Sequence, residues 1–239
     1  MSLKQALGRA LIPKMPVNRH VFEHIRGELN AMWVRMLHCV HPVYRWRISA
    51  LRKKRNLLLN LGCGPFGQPA WVNLDLFKFD GVALRTDCRS GLPISDGACA
   101  GIHVEHYFEH LTHEEEVPAF LAECRRCLSA DGVVRIIVPD AQRYARAYVQ
   151  DGWLGLDALA VPGTSARDYF ETKMQALNNV MVQGYEHFGG YDFETLALAL
   201  KRAGFKSIEQ RAFREGRFPG GCIDRDQHRP YSLYVEASL

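Results

Sequence analysis

The stretch LLLNLGCGPFGQPAWVNLDL, residues 57–76, decides the fold of this chain. It starts with an apolar run, typical of a buried parallel strand, which leads into the loop Gly62-Cys63-Gly64. A second short apolar segment follows and ends on Asp75. Paired glycines at the carboxyl end of a strand let a ligand approach the backbone, and an acidic residue after the next strand can bind the hydroxyls of a ribose. The stretch therefore predicts a site for a nucleoside-like cofactor.

The same loop also matches the G-x-G-x-x-G pattern of dinucleotide-binding oxidoreductases, through Gly62, Gly64 and Gly67. That pattern needs a helix whose N-terminus faces the diphosphate, with an acidic residue about 20 positions further on. Here two prolines lie within the loop, and Asp75 follows Gly62 by only 13 positions. A full helix does not fit between them, and proline inside one would cost about 3 kcal/mol. S-adenosylmethionine has no diphosphate, so we favour it and keep an NAD(P)-dependent oxidoreductase as the alternative.

Strand-like and helix-like segments alternate along the chain, which predicts an α/β fold with a doubly wound, mostly parallel sheet. Strands are predicted at 57–62, 71–75, 82–85, 99–104 and 133–138. Helices are predicted at 114–129 and 192–203, with an inserted helical pair within about 141–186 and a turn at Asp131-Gly132. Residues 206–213 and 232–236 are predicted to form a final antiparallel pair, separated by a long polar loop.

In combination, these features resemble the class I S-adenosylmethionine-dependent methyltransferases. The motifs that carry the resemblance are the LNLGCG loop at 59–64, the L-P-x-x-D-x turn at 92–97 and the E-H-L sequence at 109–111. The similarity covers roughly 56–140 and resumes at 187–205 and 229–237. It implies a Rossmann-like sheet of seven strands, S-adenosylmethionine as the methyl donor and S-adenosylhomocysteine as the product.

The resemblance also implies which residues bind the cofactor: Asn60, Gly62, Cys63, Gly64, Asp75, Leu76, Asp87, Cys88 and His106. The glycine loop would pass under the methionine part, and Asp75 would bind the ribose. Asp87 and the backbone amide of Cys88 would contact the adenine edge, while His106 would lie near the sulfonium. Asn60 departs from the pattern, because the family usually has an acidic residue that helps order the loop and the ammonium group of the cofactor.

Methyl transfer to a hydroxyl depends on alignment of the reactants and gains from a base that takes the proton. Three residues predicted at the carboxyl edge of the sheet are candidates for this role: His187, His106 and Asp140. Similar proteins have an H-x-x-x-Y-D segment where this chain has residues 187–192, so His187 is the first choice. The structural alternatives are a His187 hydrogen-bonded to Asp192 and an Asp140 that caps a helix. We expect O-methylation of a small-molecule, saccharide or lipid-linked acceptor; a non-catalytic cofactor-binding protein stays open.

Two further patterns have metal spacing. Residues 106–110 spell H-x-x-E-H, as in some zinc peptidases, and Cys124 and Cys127 form a C-x-x-C pair. The first pattern follows a predicted strand directly and the second has no partner pair, so we expect no metal. Glu109 and His110 are predicted to order the turn. Seven scattered cysteines favour a reducing compartment, and with no long apolar segment the expected location is the cytoplasm.

Positive charge is concentrated in residues 1–56, with a net charge of +10 against −6 for the remainder. Apolar residues between Val21 and Val40 have helical spacing, so residues 1–55 are predicted to be a basic amphipathic extension of a domain at 56–239. Three explanations stay open for it. The helix covers the core or the substrate site, contacts an anionic membrane at its inner face, or binds nucleic acid, for which we find no recognisable module. Nothing in the sequence indicates the oligomeric state.

Overall fold

The computed structural model describes residues 18–239, so the first 17 residues of the predicted extension lie outside it. The described chain begins with helix α1, Arg19–Val40, and helix α2, Pro42–Arg52. Asn18 caps α1, because its side-chain oxygen accepts a hydrogen bond of 3.1 Å from the backbone N–H of His20. Pro42 opens α2, at a position where its missing N–H has no helical partner to lose.

Strands and helices then alternate along the described chain. Their bounds are β1 Leu57–Leu61, β2 Val72–Asp75, β3 Leu84–Arg85, β4 Cys99–Glu105, α3 Glu116–Cys127, β5 Leu128–Pro139, α4 Ala141–Arg146, α5 Gly152–Ala158, α6 Lys173–Val182, α7 Phe193–Arg202, β6 Ser207–Arg211 and β7 Ser232–Ser238. Short helical turns lie at Cys88–Ser90, Phe108–His110, Ala147–Asp151, Ala166–Asp168, Gln183–Tyr185 and Asp226–His228.

The strands form one sheet of seven in the order β3-β2-β1-β4-β5-β7-β6. The first five are parallel, and β7 is antiparallel to both β5 and β6. This confirms the predicted fold class, a mostly parallel sheet of seven strands with a final antiparallel pair. The carboxyl ends of the parallel strands share one edge, where ligands bind in such sheets.

The central strands are buried on both faces, as their continuous apolar runs predict. Leu59, Ile102 and Ile136 are fully buried, one on each of β1, β4 and β5. Phe120 and Leu121 of α3 pack on the same core. Each such side chain stabilises the fold by about 1.5–3 kcal/mol relative to exposure. This packing makes the sheet a rigid base for the loops at its edge.

The transition from α3 to β5 differs from the prediction. The helix ends at Cys127, and β5 begins at Leu128 and continues through Asp131 and Gly132, where a turn was expected. Leu128 is buried and pairs with Cys99, and the register shifts before the regular ladder begins. A Cβ on Gly132 would lie only 2.8 Å from Cδ2 of Leu128, so this position favours glycine. The Asp-Gly pair therefore lies in a bulge within the strand and does not form a turn.

The apolar stripe of α1 faces solvent. Only its small residues Ala31 and Val34 are fully buried within the described part of this helix. The exposed fractions on α1 are Val21 49%, Ile25 50%, Leu29 57%, Met32 61%, Trp33 52%, Met36 43% and Val40 63%, and α2 adds Val43 49% and Trp46 69%. We call these nine side chains the apolar face. These side chains do not cover the core. No helix in the described part of the chain is both long and apolar enough to cross a membrane.

Candidate functional site

The glycine loop adopts the left-handed backbone that its sequence predicts. Gly62 has φ +62° and Gly64 has φ +53°, a region that side chains disfavour. A Cβ on Gly62 would lie 2.4 Å from Cδ2 of Tyr107, whereas one on Gly64 would meet no atom within 4 Å. The Cβ position of Gly62 therefore faces the ring of Tyr107. The contact of this loop with the methionine part of a cofactor stays a prediction. Gly64 faces the open side.

Asp75 ties this loop to the end of β2. Its carboxylate accepts hydrogen bonds of 2.8 Å from the backbone N–H groups of Gly64 and Phe77. Burial raises the pKa of Asp75, and these two donors act in the opposite direction. A carboxylate has about four lone-pair sites, so two remain that can accept from ribose hydroxyls.

Asn60 orders the loop without the charge of the usual acidic residue. Its amide donates to the carbonyl of Phe66 and to Oδ1 of Asn73, both at 3.2 Å. Asn73 in turn bonds the backbone of Gln68 in both directions, at 2.8 and 2.9 Å, and donates to the carbonyl of Gly81. The departure at Asn60 thus keeps the loop fixed, and Asn73 is a supporting residue that the sequence analysis missed.

Helix α1 reaches the predicted adenine end of the site. Arg35 of α1 and Arg89 both bind the buried carboxylate of Asp87, with their Nε atoms at 3.0 Å, and Arg89 also binds Glu28 of α1 at 2.6 Å. Burial alone would raise the pKa of Asp87, but the two guanidinium groups hold it below its ordinary value. The neighbouring Cys88 is buried. The carboxylate of Asp87 therefore anchors α1 at this edge of the sheet.

Two cavities lie along the sheet edge. The first, here the loop cavity, has a volume of about 310 Å³ and is lined by the glycine loop, Glu105, His110 and Arg225. The second, here the helix cavity, is wider, at about 1140 Å³, and is lined by α1 residues such as Glu28, and by Leu76. His110 lines both. Because they share this lining residue, the two cavities are neighbours between the glycine loop and the predicted adenine end.

A third cavity, here the insert cavity, lies between the sheet edge and helices α4–α6. It has a volume of about 440 Å³ and a largely apolar lining that includes Leu156, Leu159, Val161 and Phe170. Four residues line both this cavity and the loop cavity: His106, Gln183, His187 and Tyr231. The insert thus adds an apolar chamber that adjoins the glycine loop.

His106 lies where the loop and insert cavities meet. It directly follows β4, with φ +54°, and its N–H bonds the carbonyl of Ile137. Its Nε2 lies 2.9 Å from Oγ of Ser232, and its ring contacts that of His228 with centroids 3.8 Å apart. The strained backbone and these contacts fix the ring.

His187 is buried in the same wall, 5% exposed. Its Nδ1 donates to the carbonyl of Val180 at 3.1 Å, so the neutral ring has its lone pair on Nε2, the nitrogen 4.0 Å from Oε1 of Glu109. Burial lowers the pKa of His187, which keeps it neutral at pH 7. The structural alternative required a hydrogen bond between His187 and Asp192. Instead, the side chain of Asp192 caps α7 by accepting from the N–H of Thr195.

Asp140 is placed differently from the two histidines. Its Oδ1 accepts from the N–H of Arg143 at 3.2 Å, and its Oδ2 pairs with Nε of Arg143 at 3.1 Å. It thereby caps α4, and burial raises its pKa. Among the described residues that line the loop and insert cavities, Asp140 is absent. These contacts favour the helix-capping role over a catalytic one.

Several site residues come from the loop 214–230, which the sequence analysis described only as polar. Glu105, at the end of β4, accepts from the backbone N–H of Arg225 at 3.0 Å and bonds Nδ1 of His228 at 2.9 Å. Deeper in the sheet, fully buried Arg135 donates to Asp224 at 2.8 Å. The position of Glu105 at the end of a buried strand could have marked it in the sequence as a site residue. No local sequence pattern marks its partners Arg225 and His228.

All seven cysteines are free thiols. Cys124 and Cys127 are buried on α3 and belong to no metal-capable group within the described chain. Burial, with the charge of Asp75, raises the pKa of Cys63 to about 12, so the thiol in the glycine loop is neutral.

No family model matches the chain, and no curated protein matches it. Among solved structures, it is similar to a SAM-dependent methyltransferase from Archaeoglobus fulgidus at 14% identity and TM-score 0.46, with 88% of this chain and 94% of the other covered. It is also similar to the 1,6-didemethyltoxoflavin-N1-methyltransferase of Burkholderia thailandensis, which holds 1,6-didemethyltoxoflavin and S-adenosylhomocysteine, at 13% identity and TM-score 0.45, covering 93% and 91%. A SAM-dependent methyltransferase from Mesorhizobium loti is similar at 15% identity and TM-score 0.44, covering 82% and 97%.

Proposed function

We propose that this protein is an S-adenosylmethionine-dependent methyltransferase that acts on an oxygen of a small-molecule, saccharide or lipid-linked acceptor in the cytoplasm. One observation carries the proposal. The glycine loop and the neutral, buried His187 line the same cavity, and that cavity adjoins a separate apolar chamber. A donor site and an acceptor site that meet at a proton-accepting group are what a methyl transfer to a hydroxyl requires.

In this proposal the methionine part of the cofactor occupies the loop cavity and its adenosine the helix cavity, which Leu76 lines. The ribose binds the neighbouring carboxylate of Asp75, which contacts Gly64 of the loop. The acceptor enters the insert cavity. Its oxygen attacks the methyl carbon, the carbon–sulfur bond breaks, and the electron pair stays on the sulfur of S-adenosylhomocysteine. The proton of the hydroxyl passes to Nε2 of His187, and alignment supplies up to about 7–11 kcal/mol of the barrier reduction.

The oxidoreductase alternative is disfavoured by the first crossover. Residues 62–71, all of them described, contain no helix between β1 and β2. A diphosphate would therefore lack the helix N-terminus that dinucleotide-binding folds place beneath it. The non-catalytic alternative would lack a free proton acceptor beside the glycine loop, whereas the lone pair of His187 is available there.

The experiment that tests the proposal is photo-crosslinking of methyl-tritiated S-adenosylmethionine to the purified protein, followed by peptide mapping. We expect label on peptides that contain residues 62–76 or 103–110, with competition by S-adenosylhomocysteine and none by NADH. Label on other peptides only, or protection by NADH alone, would contradict the proposal.

We also propose that the apolar face of α1 and α2 contacts an anionic membrane. Its nine large side chains are 43–69% exposed, and exposed Arg45 and Arg47 of α2 flank them within a region of net charge +10. An amphipathic surface of this kind lies in the membrane interface, where each basic residue adds about 1 kcal/mol of attraction. A nucleic acid backbone offers no partner for the apolar side chains, so this face does not favour nucleic acid.

A further inference from the structure

The turn after β4 brings together three side chains that can ligate a metal ion. Glu109 and His110 lie in the short helical turn Phe108–His110, and His187 enters from the end of the insert. One donor atom from each lies within 4.8 Å of the other two. All three side chains line the loop cavity. The cluster therefore stands at the proposed reaction centre.

Glu109 has an unsatisfied carboxylate. The residue is 1% exposed, and neither of its oxygens has a hydrogen-bond partner. Nδ1 of His106 lies 3.1 Å from Oε1 without hydrogen-bond alignment. A buried carboxylate with an ion-pair contact to His106 but no aligned hydrogen bond keeps lone pairs that can bind a cation. A cation between the carboxylate and the two imidazoles would use them.

Both histidines are oriented as metal ligands are. Nδ1 of His110 donates to the carbonyl of Glu186 at 2.9 Å, and Nδ1 of His187 donates to the carbonyl of Val180. Each neutral ring therefore keeps its lone pair on Nε2, and that of His187 lies 4.0 Å from Oε1 of Glu109. Ligating histidines characteristically donate their second nitrogen to a carbonyl or carboxylate, which fixes the tautomer and the ring direction.

The arrangement differs from that of a zinc peptidase. The first histidine of the H-x-x-E-H sequence, His106, bonds Ser232 rather than facing His110 from one continuous helix. The glutamate, a base in that motif, is here a candidate ligand. His103 and His113, also near in sequence, stand apart, since His103 lies 3.9 Å from Asp224 and His113 stacks on Tyr191.

We propose that Glu109, His110 and His187 bind one divalent ion of the zinc type. Two imidazoles and a carboxylate suit zinc, with bonds of about 2.0–2.2 Å, and the donors need to close by roughly 1 Å to surround it. The remaining coordination position faces the loop cavity. There the ion would bind the acceptor oxygen and lower the pKa of its hydroxyl, whose proton would pass to solvent water. With the ion bound, Nε2 of His187 would be a ligand and would not act as the base. This use of the ion rests on the proposed methyl transfer, but the binding does not.

The test is calorimetric titration of the chelator-treated, full-length protein with zinc sulfate, with cobalt absorption spectra as a second readout. We expect one ion per chain. His110→Gln, at the half-buried ligand, is the principal variant because Glu109→Gln can disturb folding. Its affinity loss should exceed the roughly 10–100-fold that removal of an outer partner costs. His24→Gln, at an exposed histidine of α1, is the matched control and should bind zinc as the wild type does.

S-adenosylhomocysteine is titrated into the same samples, which separates the two proposals. Binding of S-adenosylhomocysteine without stoichiometric zinc would overturn the metal site and leave the proposed function. Stoichiometric zinc binding with no binding of S-adenosylhomocysteine would overturn the proposed function and leave the metal site. Zinc binding that is unchanged in both His110→Gln and His187→Gln would also overturn the assignment, because the ion would then lie elsewhere.

Discussion

At the scale of single residues, Gly62 and Gly64 share a left-handed backbone but differ in their surroundings. We expect Gly64→Ala to cost about 1–2 kcal/mol of folding free energy from the backbone alone. Gly62→Ala should cost about 1–3 kcal/mol more, since its Cβ would overlap Tyr107, and should abolish cofactor binding. Urea unfolding of both variants checks this. Equal losses for the two would contradict the packing role of Tyr107.

Arg135 is the second residue with a specific prediction. It is fully buried and pairs with Asp224 and Glu236. Arg135→Leu therefore leaves Asp224 without its guanidinium partner, whereas Glu236 keeps Arg211 at 3.2 Å. The expected loss at pH 7 is about 3–5 kcal/mol, measured by urea unfolding. Arg26→Gln is the surface control, because the Arg26–Glu23 pair is exposed and its loss should cost under about 1 kcal/mol.

The same variant predicts a pH dependence. Burial acts to raise the pKa of Asp224, but the charge and hydrogen bonds of Arg135, together with the backbone N–H of Arg214, hold it below its ordinary value. Its contribution to wild-type stability is therefore full above the unfolded pKa of about 3.9 and is lost as pH falls below it. In Arg135→Leu, protonation of Asp224 removes a buried charge that lacks its guanidinium partner, so the folded variant is stabilised as the pH falls. The stability gap between the two proteins should narrow from pH 7 to pH 4, and a constant gap would show that the pair is not ionic.

At the scale of elements, the apolar face of α1 and α2 gives a prediction for membrane binding. The wild type should sediment with vesicles that contain phosphatidylserine and much less with phosphatidylcholine alone. Trp33→Ser with Trp46→Ser should weaken this by at least about tenfold, since each aromatic loses about 1.5–3 kcal/mol of burial. Leu154→Ser, at an 83% exposed site on α5, should have no effect. Absence of vesicle binding together with a concentration-dependent dimer would instead identify the face as a contact between two copies.

The elements also show where sequence reasoning reaches its limit. Periodicity predicted the buried strands and the helix at α1, because each pattern is local. It did not predict that the stripe from Val21 to Val40 faces outward, since a helix pattern does not say what covers it. It also missed the contacts of Glu105 with Arg225 and His228, which lie 120 or more residues away and depend on the folded sheet.

At the scale of the whole molecule, the groups that the proposed methyl transfer uses lie together at one edge of the sheet. The glycine loop, His106 and Glu105 end neighbouring strands, while His187 arrives from the insert and His228 from the last loop. The resemblance assigned residues to the cofactor end of this edge by position, and their contacts with the cofactor stay a prediction. The insert cavity and the cluster of Glu109, His110 and His187 became visible only in the assembled structure, because their parts are distant in the chain.

Calorimetric titration of the purified protein with S-adenosylhomocysteine, S-adenosylmethionine and NADH in parallel tests which cofactor the glycine loop binds. We expect micromolar binding of the first two, no binding of NADH, and loss of binding in Asp75→Ala. Thermal unfolding of the variant shows that it is folded, since its loop contacts with Gly64 and Phe77 are also removed. Binding of NADH alone, or unchanged S-adenosylhomocysteine binding in a folded Asp75→Ala, would contradict the account.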